Sequence, residues 1–179
     1  MSDRTKQILI ITAAIVAIVI GVLIYIGQHA PSFQTVKCPG GGEAIVVDAD
    51  RFLLEYSGKQ VTLDAALGDK LKVRIGVGDQ VLQQAISATQ LLDQRLRVLV
   101  MEQQSSACDT KGKDLLKGLG AYSSNEFSQL LKLSKDLNEI AAKGDTSQKA
   151  NAEKVLDETQ VLAASAAKNL GESTTSRQP

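Results

Sequence analysis

The sequence predicts a mostly α-helical α+β protein with a single N-terminal transmembrane helix. Three observations predict it: an uncharged apolar run from Ile8 to Ile26, short β-prone runs after Gly42, and helical apolar spacing from Asp79 onward. We expect a small antiparallel sheet followed by a bundle of three long helices plus a short one. The predicted divisions are a head and anchor (1–27), a flexible linker (28–43), a sheet (44–78) and helical bundle (79–170) forming one domain (44–170), and a disordered tail (171–179).

The apolar run from Ile8 to Ile26 matches a membrane-spanning helix in length. At about 1.5 Å rise per residue it would extend roughly 28 Å, close to the thickness of a bilayer hydrocarbon core. A cleavable signal peptide is the alternative, but its apolar region is usually shorter and ends at a small-x-small site. Gln28 occupies the small-residue place before Ala30. We therefore predict an uncleaved, single-pass signal anchor that contacts the lipid bilayer.

Basic residues on either side of the run predict its orientation. Arg4 and Lys6 precede it, whereas the first basic residue after it is Lys37. Because Lys and Arg are enriched on the cytoplasmic side, we expect a cytoplasmic N-terminus and a periplasmic or extracellular C-terminal domain at the inner or plasma membrane.

Small residues recur every four positions within the run, at Ala13, Ala17 and Gly21. Faces of this kind allow two transmembrane helices to approach closely, which would make the chain a homo-oligomer. The alternative is that Ala and Gly are common in membrane spans. Both interpretations stay open at this point.

The two cysteines, Cys38 and Cys108, both follow the anchor. In an oxidising compartment an even pair predicts a disulfide, which would connect the membrane-proximal segment to the end of the first long helix. Two free thiols in a cytosolic domain are the alternative and require the opposite topology. The disulfide and the orientation are therefore linked predictions.

The segment before the helices has strand-like patterns. Pro31, Pro39 and three glycines indicate a linker, and β-prone runs then cover 44–47, 51–56 and 61–63. Residues 70–77 alternate charged and apolar side chains, as a half-buried strand does. This strand would align Lys70, Lys72 and Arg74 on one face, which could meet lipid headgroups or an acidic partner or could simply be solvated.

Three long helices follow. The first begins with Asp79 as N-cap and extends to about Ala107, with a glutamine-rich flank that could contact a partner or face solvent. After a short Leu-bearing segment over 109–120, Ser123 and Glu126 form a capping-box pattern that opens the second helix. The third begins after Asp145 and Thr146, and its Ala-rich apolar stripe suits either close packing or a detachable helix.

Composition excludes several classes of function. Basic and acidic residues balance at 20 each, which gives no electrostatic footprint for nucleic acid. The only histidine, His29, lies at the predicted membrane exit, so His-dependent catalysis and Cys/His metal sites are not expected in the domain. We predict no cofactor, no metal and no enzymatic activity.

These observations lead to a functional hypothesis. The leading expectation is a membrane-anchored protein whose domain binds a protein partner, as an accessory or inhibitory subunit of an envelope complex. The alternative is a small-molecule-sensing domain that signals through a partner.

Overall fold

The computed structural model describes residues 33–56, 63 and 65–175. Within this part of the chain no helix is both long and apolar enough to cross a bilayer. The predicted anchor at Ile8–Ile26, His29 and the small-residue positions Ala13, Ala17 and Gly21 lie outside the described residues. The membrane anchor and its pairing face therefore stay predictions.

A two-stranded antiparallel hairpin begins the described domain. Strand β1 (Phe33–Lys37) pairs with β2 (Glu43–Val47), with Thr35 opposite Ile45. Gly41 and Gly42 have positive φ values of 83° and 92°, which only glycine adopts at little cost, and they form the turn. The predicted sheet is thus confirmed in kind but begins earlier, because the glycine run interpreted as part of a linker is the hairpin's turn.

The strands predicted over 51–56 and 70–77 are wrong, and most of the run over 61–63 lies outside the described residues. Helix α1 (Ala49–Tyr56) replaces the run over 51–56, and α2 (Ala65–Lys70) continues into a π-helical turn, Leu71–Ile75. In a strand Leu71, Val73 and Ile75 would share a face. In the helical turn Leu71 and Ile75 are four residues apart and buried, whereas Val73 is 81% exposed. A short run of alternating residues is compatible with both the two-residue repeat of a strand and the 3.6-residue repeat of a helix. The helix forms here because it buries Leu71 and Ile75 together.

The predicted bundle of three long helices and a short one is confirmed. The helices are α3 (Asp79–Ser105), α4 (Thr110–Ser124), α5 (Glu126–Lys143) and, after a 3₁₀ turn at Thr146–Gln148, α6 (Lys149–Thr175). Helix α6 therefore extends into the stretch predicted to be a disordered tail.

Two predicted caps are displaced. Gly78 is the N-cap of α3, and Asp79 is the first residue of the helix. There the negative charge of Asp79 interacts favourably with the positive end of the helix dipole. Ser123 lies inside α4, and Asn125 separates α4 from α5. Ser123 donates its hydroxyl hydrogen to the carbonyl of Gly120 in its own helix, so it does not form the capping box with Glu126.

Buried apolar residues form two large clusters, one toward each end of the bundle. One joins α3, α4 and the distal part of α6 with Val47 of the hairpin and Phe52 of α1. The other joins the π-helical turn to α3, α5 and the proximal part of α6. Helices α5 and α6 thus each have one side in the core, and their opposite sides border solvent.

Candidate functional site

An open groove lies between α5 and α6 and has a volume of about 690 Å³. Each helix contributes residues spaced by three and four positions, the spacing that places side chains along one edge of a helix. The lining residues are Gln129, Lys132, Leu133 and Asp136 of α5 and Asp157, Glu158, Val161, Leu162 and Ser165 of α6.

A second, smaller opening of about 170 Å³ continues the groove toward the loop between the helices. The two openings share Asp136, and the smaller one adds Glu139 and Lys143 of α5 and Asn151 of α6. From Gln129 to Lys143 the helical rise gives a length of roughly 21 Å. The groove is therefore long enough for about four turns of another helix.

The floor of the larger opening is apolar and its sides are acidic. Leu133 and Leu162 are partly buried and pack against the core clusters, whereas Val161 is 62% exposed. Three of the lining residues are acidic, namely Asp136, Asp157 and Glu158, and one is basic, Lys132. The lining of the larger opening therefore carries an excess of negative charge. Glu158 also lies 3.7 Å from Lys154 on the outer side of α6. An apolar floor beside excess negative charge suits an amphipathic, basic segment.

The predicted disulfide is confirmed. Cys38, directly after β1, is bonded to Cys108, in the turn between α3 and α4, with 5.7 Å between their Cα atoms. The bond fastens the hairpin to the far end of the first long helix, as the sequence predicted.

Two glutamine side chains provide a second attachment for the hairpin. The Oε1 of Gln103 accepts a hydrogen bond from the Val47 amide, and its Nε2 donates to the Ile45 carbonyl, both at 3.0 Å. Gln104 Nε2 donates to the Val47 carbonyl, also at 3.0 Å. Gln103 is only 1% exposed, so its amide completes the hydrogen bonding of the β2 edge inside the protein.

Asp48 and Lys72 have structural partners. Asp48 accepts hydrogen bonds from the Arg51 amide and from Gln34 Nε2, which hold the pKa of its carboxyl below the usual value. Lys72 lies 2.8 Å from Asp79, and this hydrogen-bonded ion pair raises the pKa of the lysine. Asp48 therefore caps the start of α1, and the predicted basic strand face does not form.

The hydroxyl of Tyr122 is a buried titratable group that could, by its chemistry, act as an acid or a base. Tyr122 is 2% exposed and its hydroxyl has no hydrogen-bond partner among the described residues. Burial, followed by the nearby charges of Glu126 and Asp93, raises the pKa of this phenol far above its ordinary value. The hydroxyl stays protonated at neutral pH and cannot serve as a base there.

Metal-ligating side chains do not converge in the described parts of the chain. No group of three or more His, Cys, Asp or Glu residues there has the arrangement to hold a metal ion.

Sequence reasoning did not find the groove. The signal that could have found the groove is the matching three- and four-residue spacing of 129–136 and 158–165, which borders the apolar stripe of each helix. Their alignment across two helices is a tertiary property.

Comparisons of the chain with protein-family models, curated proteins and solved structures found no match.

Proposed function

We propose that this chain is a membrane-anchored, non-enzymatic protein whose helical domain binds a protein partner in the groove between α5 and α6. The observation that carries the proposal is the combination of an apolar floor with acidic sides along two adjacent helices. Such a groove suits a basic amphipathic helix, which would bury its apolar face on Leu133, Val161 and Leu162 and place Lys or Arg near the carboxylates.

The proposed location is the outer side of the cytoplasmic or plasma membrane, with the Ile8–Ile26 run as anchor and the N-terminus in the cytoplasm. The bonded cysteines support this side, because structural disulfides persist in oxidising compartments. An anchor would also raise the effective concentration of the domain for partners in the same membrane. An accessory or inhibitory subunit of an envelope complex fits these properties.

Site-specific photocrosslinking in native membranes tests the partner proposal. A benzophenone amino acid at Val161 should capture a discrete protein, whereas the same amino acid at Val73, which is more exposed and lies outside the groove, should not. Reversing charge at Asp157 and Glu158 should decrease the Val161 product, and reversal at Asp114 on α4 should leave it unchanged. Equal capture from both valines, or a product insensitive to the groove charges, would contradict the proposal.

Small-molecule sensing is the alternative function, and the same groove favours it in one respect. Its volume of about 690 Å³ lies within the range of small-molecule pockets, roughly 300–1,000 Å³. A sensing domain would show a rise in melting temperature with a small ligand and no protein crosslink at Val161. That pair of results would replace the protein partner with a ligand.

Reporter fusions test the proposed location. Alkaline phosphatase fused after Pro179 should be active and a cytosolic reporter at the same position inactive. The reverse pattern would refute the orientation.

A further inference from the structure

The outward face of α3 carries an uncharged row of side chains that the rest of the described residues leave exposed. Its members are separated alternately by four and three residues, and all are exposed. They are Gln80, Gln84, Ser87, Leu91, Gln94, Val98, Met101 and Ser105. We refer to these eight residues as the α3 seam. The absence of charge along it contrasts with a chain in which 22% of residues are charged.

The α3 seam has the geometry of a coiled-coil interface. Its average spacing of 3.5 residues is the repeat that keeps one helix face against a partner helix. Every seventh residue from Leu82 through Thr89 and Leu96 to Gln103 is buried on the opposite side of α3. The helix therefore packs into its own domain with one face and presents the seam with the other.

Three large apolar side chains lie in the seam toward its C-terminal half. Leu91 is 45% exposed, Val98 is 43% exposed and Met101 is 59% exposed. From Gln80 to Ser105 the seam extends roughly 38 Å at helical rise. Three apolar side chains held on a rigid helix, within a polar but uncharged row, suit contact with another helix better than contact with water.

We infer that the α3 seam is the interface of a parallel, in-register homodimer of this chain. In that register each seam residue meets its own counterpart, so Leu91, Val98 and Met101 each pack against the same residue of the second copy. Such self-complementary contact is the normal arrangement of a two-fold dimer. The inference does not depend on the α5–α6 groove, which lies on other helices.

The charges that flank the seam agree with this register. In a parallel coiled coil, the residue directly before the first of two interface positions three residues apart, such as Val98 and Met101, faces the residue five positions later on the partner helix. Arg97 of one copy then faces Glu102 of the other, twice across the two-fold axis, while Arg95 faces the neutral Gln90. The Arg97 side chain is 53% exposed and pairs with Asp93 of its own helix, and the Glu102 side chain is 36% exposed with its Oε2 buried near Lys111, so the contact would require both side chains to turn toward the partner. Opposite charges meet, and no like charges do.

Cysteine crosslinking of the full-length chain in membranes of expressing cells tests the dimer and its direction. Ser87→Cys and Met101→Cys should each give a disulfide-linked dimer on a non-reducing gel after mild oxidation, because both residues meet themselves in the parallel register. Lys117→Cys, on the exposed surface of α4, is the matched control for collision and for exchange with the native disulfide. It should stay monomeric.

Disruption of the seam completes the test. In the Ser87→Cys background, Leu91→Glu or Gln94→Lys would place like charges against each other, and we expect about a tenfold or greater loss of crosslinked dimer. Both sites are exposed, and an unchanged melting temperature would verify the fold. The inference is overturned if the dimer survives both substitutions, or if the two cysteine variants crosslink no more than Lys117→Cys or not at all. Crosslinking at only one of positions 87 and 101 would indicate an antiparallel pair and would overturn it as well.

Discussion

Replacing Gln103 by methionine tests how the hairpin is held to α3. Methionine keeps the length and volume of glutamine but cannot hydrogen-bond, so the Val47 amide and the Ile45 carbonyl lose their partners. Val47 is fully buried, which prevents water from replacing the lost bond to its amide. A buried polar group without a partner costs about 1–3 kcal/mol.

The exposure of Ile45 lowers the expected total. The residue as a whole is 53% exposed, against 0% for Val47, so we expect its carbonyl to be rehydrated at a smaller cost than the Val47 amide. We therefore expect Gln103→Met to decrease the free energy of unfolding by about 2–4 kcal/mol. For a domain of this size, that corresponds to a decrease in melting temperature of roughly 5–12 °C.

Urea and thermal unfolding followed by far-UV circular dichroism measure this loss. Gln83→Met is the matched control, because this glutamine is exposed on the same helix and its replacement should change the free energy of unfolding by less than about 0.5 kcal/mol. Equal effects of the two substitutions, or a loss below about 1 kcal/mol at Gln103, would refute the argument that the buried amide holds the strand edge.

The remaining predictions concern the disulfide, a close helix approach and pH. Replacing Cys38 and Cys108 together by serine should decrease unfolding free energy by about 4 kcal/mol in the chain-entropy model, since the bond joins residues 70 positions apart; no change would contradict this. Gly112→Ala should cost at least about 2 kcal/mol, because its Cβ would clash with the backbone carbonyl oxygen of Ser106, whereas Gly118→Ala, in open space, should stabilise by about 0.5–1 kcal/mol. Hydrogen bonds from the following turn lower the pKa of Asp145, so its stabilisation is complete above the unfolded value of 3.8 and is lost as the pH falls through the folded value. Between about pH 5 and about pH 3, the melting temperature of Asp145→Asn should therefore decrease less than that of the native chain. Equal decreases in the two proteins would contradict the role of Asp145 as a cap.

The helical bundle was predictable because its signals are local. Apolar residues at three- and four-residue spacing identify a helix without knowledge of its neighbours, and α3, α5 and α6 each show them over many turns. The disulfide was predictable for a different reason, since two cysteines allow one intramolecular pairing. Prediction failed at 70–77, where a short run is compatible with the repeat of a strand and with that of a helix. It also failed at the glycine run, which could be either a linker or a hairpin turn.

The sequence by itself determined the bundle of three long helices and a short one, the disulfide and the balance of charge, whereas the two short helices before the bundle were not foreseen and the anchor stays a prediction. Tertiary structure alone decided which polar residues are buried and which helix edges align. In the sequence, nothing distinguishes Gln103 from its exposed glutamine neighbours. Its burial depends on contact with Val47 of strand β2, which lies 56 residues earlier in the chain. The groove likewise exists only because α5 and α6 pack side by side. Periodicity is a property of consecutive residues, whereas a bond or groove formed by distant segments depends on how the whole chain packs.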